Sequence, residues 1–197
     1  MKSIYTILMF CSVAINSIAQ LYNDPNFAIP ASGYGSDGTH TVGVVTFPNP
    51  NFITEDIKIY HPSDITTQVP TLFYSHAYGG NFSFSVAGLL NFIAKRGYAI
   101  VFVPYQTTGS TQDRYDNLLA GFQKAARDYP AIIDTTKVGF VGHSLGGGAS
   151  FGIPYKCFTQ NNWGQNGRFI HASAPWYSFD ITQTELQSFA PERLVQC

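Results

Sequence analysis

The segment Val138-Gly-Phe-Val-Gly-His-Ser-Leu-Gly-Gly-Gly-Ala149 constrains the fold more than any other stretch of the chain. An apolar run of strand character ends at Gly142, and small residues suited to a helix start follow Ser144. The pattern Gly142-x-Ser144-x-Gly146 fits a turn so sharp that a Cβ on either side of the serine would meet the adjacent strand or helix. Such a turn holds the serine oxygen clear of its neighbours. It also aims the free N–H groups and the positive end of the helix toward any negative charge that develops there. The plainer reading is a glycine-rich turn with an incidental serine. The flanking strand and helix patterns favour a nucleophile.

The rest of the chain alternates between the two periodicities. Val42 to Phe47 and Ile57 to Tyr60 read as early strands, ended by Pro-Asn-Pro and His-Pro. Val69 to Tyr74 is a short apolar strand, and Tyr98 to Val103 is another, stopped by Pro104. Between them, Phe84 to Lys95 has helical spacing, with Gly97 placed to cap its end. Tyr115 to Tyr129 carries Leu118, Leu119, Phe122 and Ala126 on one face before Pro130 breaks it. Phe169 to Ser173 follows as a further strand. Apolar strands alternating with helices predict an α/β domain: a mostly parallel sheet covered on both faces, with antiparallel strands at its start.

Composition narrows the partners. The chain has 197 residues, 45% hydrophobic and 12% charged, which suits one domain with a buried core and excludes a disordered chain. A formal net charge of −1, with Lys and Arg scattered, offers no field for nucleic acid. Lys2, the apolar stretch Ile4 to Ile15 and the small residues Ser17 and Ala19 read as a signal peptide over 1–19, cleaved before Gln20. That stretch is too short for a stable membrane span, and the bulky Met9-Phe10 argues against lipidation at Cys11. The expected location is secreted or periplasmic, with domain 20–197 following. Cys157 and Cys197 then remain, either as one disulfide or as separate thiols. No histidine pair has ligand spacing and no Cys-x-x-Cys occurs, so no metal site is expected, and chemistry on a serine nucleophile requires no cofactor.

An oxyanion hole beside such a serine needs a second backbone donor, from the loop after the third strand. That loop reads Ser75-His-Ala-Tyr-Gly-Gly-Asn81, and its glycines allow a sharp turn with inward N–H groups. The donors assigned are the amides of Tyr78 and Leu145. His76 is read as organising the loop through hydrogen bonds, and His143 as packing.

Three segments, Ser75-His-Ala-Tyr78, Gly142 to Ser150 and Ala174-Pro-Trp176, resemble the dienelactone hydrolase and cutinase-type polyester hydrolase branch of the α/β hydrolases. The likeness runs from about Phe47 to the C-terminus, and Ala77 stands where a glycine is usual. It implies an α/β-hydrolase fold and a carboxylic-ester hydrolase with an acyl-enzyme on Ser144. It also implies that Tyr78 and Trp176 flank a small or polymeric ester. Ordinary packing is the other reading of Trp176 and Tyr177.

In that fold the triad runs serine, acid, histidine along the chain. After Ser144 the acids are Asp180, Glu185 and Glu192, and the single histidine, His171, precedes them all. The chain is therefore expected to be C-terminally incomplete, stopping before the last strands, with Arg193 to Cys197 opening another strand. Three readings follow: a fragment of an active esterase, a noncatalytic binding protein on a degenerate fold, or a compact hydrolase with an unusual dyad through Asp180.

Overall fold

The computed structural model describes residues 31–33 and 35–189, together with the backbone of 194–195. The signal-peptide reading at 1–19, the cleavage point and Cys197 lie outside the described residues. Two compact units divide the chain, Met1–Asp37 and Gly38–Cys197. In the first, the described part holds a turn closed by the Ser36 N–H on the Gly33 carbonyl, 3.3 Å.

The second unit is built on a seven-stranded sheet, in order β1-β2-β4-β3-β5-β6-β7. Its strands are β1 (Val42–Pro48), β2 (Asp56–Pro62), β3 (Val69–Ser75), β4 (Ala99–Phe102), β5 (Ile133–His143), β6 (Gly167–Ser173) and β7 (Leu194–Val195). Pairings β1–β2 and β2–β4 are antiparallel; β4–β3, β3–β5, β5–β6 and β6–β7 are parallel. Helices α1 (Ala87–Lys95), α2 (Thr111–Asp128) and α3 (Leu145–Gln160) form the long crossovers, and a short α4 (Gln183–Gln187) follows β6. The mostly parallel sheet with antiparallel opening strands agrees with the alternation in the sequence.

Both faces are covered, as continuous apolar strands require. On β4, Ile100 and Phe102 join Tyr60, Tyr74 and the α1 residues Leu90 and Ala94 on one face. Ala99 and Val101 point the other way, to a larger cluster with Leu118 and Phe122 of α2 and Ala149 and Ile153 of α3. Phe73 is fully buried there, with ring centroids 4.8 Å from Trp163, 5.1 Å from Phe122 and 5.3 Å from Phe140. Truncating a phenylalanine so enclosed costs about 3–5 kcal/mol.

Several boundaries differ from expectation for local reasons. Helix α2 begins at Thr111, earlier than the apolar periodicity shows. Ser110 accepts from the Asp113 N–H while the Asp113 carboxylate accepts from the Ser110 N–H, a reciprocal cap. Strand β5 begins at Ile133 because Ile133 and Asp134 pair with Val69 and Pro70; the register then shifts and Val138 meets Thr71. The polar residues 135–137 occupy that irregularity and hide the strand's first half. Gly97, at φ +89°, ends the helix region of α1 as expected. Cys157 is fully buried in the core as a free thiol, and burial pushes its pKa well up.

Register is what positions the site. Ser75 pairs with Gly142, and His143 pairs with Ser173. Three loops, beginning at His76, Ser144 and Ala174, therefore leave the same edge of the sheet side by side.

Candidate functional site

Ser144 is the N-cap of α3, at φ 55° and ψ −118°. This backbone conformation is sparsely populated for any residue with a side chain and costs about 1–3 kcal/mol. It persists because the turn is fixed on both sides. The Ser144 N–H donates to the Ser173 carbonyl at 3.0 Å, and the Ser144 carbonyl accepts from Gly148 N–H at 3.1 Å and Trp176 N–H at 2.8 Å. A Cβ on Gly142 would be driven into the Gly146 carbonyl and the Ser150 hydroxyl; one on Gly146 would meet the Ser75 carbonyl. Glycine is thus required on both sides of Ser144, and the Gly146 contact sets the first turn of α3 directly against the end of β3.

Leu145 opens α3, so its N–H has no acceptor one turn back, and among the described residues no other backbone carbonyl takes it. The Tyr78 N–H is likewise unbonded among the described residues, while the Gly80 N–H closes a turn on the Ala77 carbonyl at 2.9 Å. Gly79 sits at φ +77° with open space around it, so conformation alone requires a glycine there.

His76 is 1% exposed and lies flat on Tyr105, ring centroids 4.0 Å apart and 5° from parallel. Its Nδ1 is 2.8 Å from the Ala77 carbonyl, which can only accept, so Nδ1 carries the proton. Burial lowers the His76 pKa to about 4, so the ring is neutral at pH 7. The Tyr105 hydroxyl donates to the His76 carbonyl at 3.1 Å. His76 and Tyr105 thus brace the loop from beneath.

Trp176 lies on the third loop, 43% exposed, its ring 4.4 Å from that of Tyr177. The loop lies along α3, whose small residues make room for it. A Cβ on Gly147 would meet Pro175, one on Gly148 the Trp176 and Ser178 carbonyls, and one on Gly152 the Asp180 carbonyl. Ala174 and Asp180, at φ 44° and 48°, bend the loop at its two ends. The Asp180 carboxylate accepts from Lys156 Nζ at 2.7 Å and Gln112 Nε2 at 3.2 Å, which commits it to an ion pair on the flank of α3.

Among the described residues, no hydrogen bond joins the Ser144 hydroxyl to any of the five histidines. His40 pairs with Asp64 at 2.9 Å and His76 is held by Ala77. His61 Nδ1 lies 3.3 Å from the Pro62 carbonyl, and His143 is exposed beside the turn. His171 sits within β6 opposite Val141, as the sequence placed it. Among the described residues no cluster of His, Cys, Asp or Glu could hold a metal ion, and no helix is long and apolar enough to cross a membrane. An open pocket of 560 Å³ beside the first turns of α2 includes Gln106, Asp113, Arg114 and Asn117, but none of Tyr78, Ser144 or Trp176.

No protein-family model matches the chain, and no curated protein matches it. Solved structures do. An inhibitor-bound esterase B from Lactobacillus rhamnosis superposes with a TM-score of 0.58 at 15% identity, over 71% of this chain and 51% of that one. The same esterase with a tributyrin phosphonate gives 0.57 at 15%, over 72% and 52%. The chain spans about half the length of these neighbours. This is the α/β-hydrolase fold.

Within the α/β-hydrolase fold, Ser144 stands at the strand-to-helix turn after β5, between the loops that carry Tyr78 and Trp176. Sequence reasoning missed Tyr105, Arg114 and Tyr115, all buried beneath those loops. Only the Ser110-x-x-Asp113 signature, which starts α2 early enough to include Arg114, was there to be read.

Proposed function

We propose that the chain carries the nucleophile and oxyanion half of an exported serine carboxylic-ester hydrolase of the dienelactone hydrolase and cutinase-like branch. The observation that supports this most is the strained Ser144 at the turn after β5; among the described residues the amides of Leu145 and Tyr78, on that turn and on the loop after β3, make no backbone hydrogen bond. The esterase neighbours support it at the level of fold. Ser144 Oγ attacks the ester carbonyl carbon while an imidazole takes its proton, and the carbonyl oxygen becomes an oxyanion held by the two amides. Collapse of the adduct expels the alcohol, which leaves with that proton. Water then cleaves the acyl-serine by the same route. Tyr78 and Trp176 flank the ester, which is small or polymeric, and no cofactor takes part.

The imidazole comes from outside the described residues. Turnover of p-nitrophenyl esters by residues 20–197 should sit near background, because losing the base removes several powers of ten even when an oxyanion hole remains. A form extended through the downstream reading frame should gain turnover that Ser144→Ala abolishes. Extension without Ser144-dependent turnover would sink the proposal. It would favour a noncatalytic binding protein, the reading to which the Ser144 hydroxyl, unbonded among the described residues, also lends support. Mature protein beginning at Gln20, measured by mass, is the expected sign of export.

A further inference from the structure

Two consecutive residues of α2, Arg114 and Tyr115, are 9% and 1% exposed. Neighbours on a helix diverge by about 100°, so such a pair serves two different surfaces. Here one surface is the loop after β4 together with the Tyr78 ring, and the other is the loop after β6. The Arg114 guanidinium donates through Nη2 to the carbonyls of Thr107 and Gly109, and lies 5.0 Å from the centroid of the Tyr78 ring. The Tyr78 hydroxyl donates to the same Thr107 carbonyl at 3.1 Å. The Tyr115 hydroxyl is 2.6 Å from the Ser178 carbonyl, two residues past Trp176, and 3.2 Å from the Leu145 carbonyl in the first turn of α3.

A buried guanidinium is costly unless its donors are used. Among the described residues no carboxylate lies within ion-pair distance of Arg114; its partners are two loop carbonyls and an aromatic face. Residues 105–109 and 174–179 belong to no helix or strand; main-chain bonds tie 174–179 to Ser144 and Gly152, and the side-chain tethers from α2 add to that hold. One helix turn therefore holds both aromatic walls, through two rigid planar groups that tolerate little error in length.

We propose that Arg114 and Tyr115 are positioning residues that fix the separation of Tyr78 from Trp176, and so set how bulky an ester fits beside Ser144. This rests on the reading of Tyr78 and Trp176 as the walls of the ester cleft. The clamp acts on fit: loosening it widens the range of groups accepted and leaves the nucleophile turn intact.

Non-hydrolysable ketones test it on the full chain without requiring turnover. Butyrophenone and its para-tert-butyl derivative are titrated against Trp176 fluorescence, with Trp176→Phe identifying the signal. Acrylamide quenching of Trp176 and the urea midpoint are measured in parallel. The parent should bind butyrophenone at least tenfold more tightly than the bulkier ketone. Tyr115→Phe and Arg114→Lys should each reduce that preference at least threefold, and Tyr115→Phe should also make Trp176 more quenchable. Ser110→Ala, which weakens the α2 cap without touching either wall, should lower the urea midpoint and leave the preference unchanged. If Arg114→Lys does not fold, Tyr115→Phe decides alone, since it removes a single oxygen. An unchanged preference in Tyr115→Phe overturns the clamp while leaving the cleft reading in place. Failure of the parent to bind either ketone overturns the cleft reading and the clamp with it.

Discussion

The backbone N–H of Trp176 donates to the carbonyl oxygen of Ser144 across 2.8 Å. The residue proposed as nucleophile and the residue proposed as cleft wall are thus joined through main chain, at a separation no substitution of either side chain alters. Their spacing belongs to the sheet register, in which His143 faces Ser173, and to the bend at Ala174, φ 44°. Reading a side chain at Trp176 as part of the site is therefore a question about its ring alone.

Strain at Ser144 gives a stability prediction of unusual sign. Glycine adopts φ 55° and ψ −118° more readily than serine, but loses more freedom on folding. Relief of about 1–3 kcal/mol against an entropic loss of about 0.5–1 kcal/mol leaves Ser144→Gly more stable by about 1 kcal/mol. Urea unfolding of the two proteins checks this. A lower midpoint for Ser144→Gly means that the turn is not strained.

Two glycines should respond very differently to alanine. At Gly146 the new Cβ meets the Ser75 backbone, which cannot yield without moving β3, so Gly146→Ala should cost about 3 kcal/mol or more. At Gly79 nothing lies within 4 Å, and only the left-handed backbone is penalised, by about 1–2 kcal/mol. Equal losses in thermal unfolding would contradict this division between steric and conformational need.

How far the sequence could be read follows from the range of the interactions. The turn at Ser144 is legible because its requirements are local: glycine at 142 and 146, an apolar strand before and small helical residues after. The loop at Tyr78 is legible for the same reason. Tyr115 is not, because its partners Leu145 and Ser178 lie 30 and 63 residues away, and nothing at position 115 distinguishes it from a core tyrosine. Arg114 reads as a solvated charge until the fold encloses it. The first half of β5 is hidden because residues 135–137 interrupt its apolar pattern. Trp176 is intermediate: the resemblance marks the residue, but the bend that seats it comes from a positive φ at an alanine, which no propensity suggests.

Acid should weaken the fold through His76. Its folded pKa of about 4 lies below the ordinary value of 6.5, with burial as the main cause. Below pH 6.5 the unfolded chain binds a proton at this site that the folded chain refuses. The contribution is therefore complete above pH 6.5 and is lost as pH falls toward 4, by up to about 3 kcal/mol. Urea midpoints across pH 7.5 to 4.5 should show this decline, and His76→Gln should flatten it while lowering stability at pH 7.5. An equally steep decline in the variant would assign the effect to other groups.

The reciprocal cap at Ser110 should be worth about 1 kcal/mol, the usual value for an N-cap hydroxyl. Ser110→Ala is expected to lower the unfolding midpoint accordingly, and Ser110→Asp to retain most of it. Full stability in the alanine variant would mean that α2 is held by its packed face alone.

Helix α3 does not close its own ladder. Its glycines and Pro154 make it a poor helix in isolation, and the Gly152 N–H donates outward, to the Phe179 carbonyl at 3.0 Å. The helix that follows Ser144 is thereby tied to the segment that carries Trp176, so opening of that segment breaks a bond of the helix. Amide exchange at Gly152 accordingly measures the opening of the Trp176 segment, and the two elements belong to one cooperative unit of the native state. A chain cut between β6 and residue 180 would lose more than the proposed wall: it would leave the Gly152 N–H without the carbonyl of Phe179.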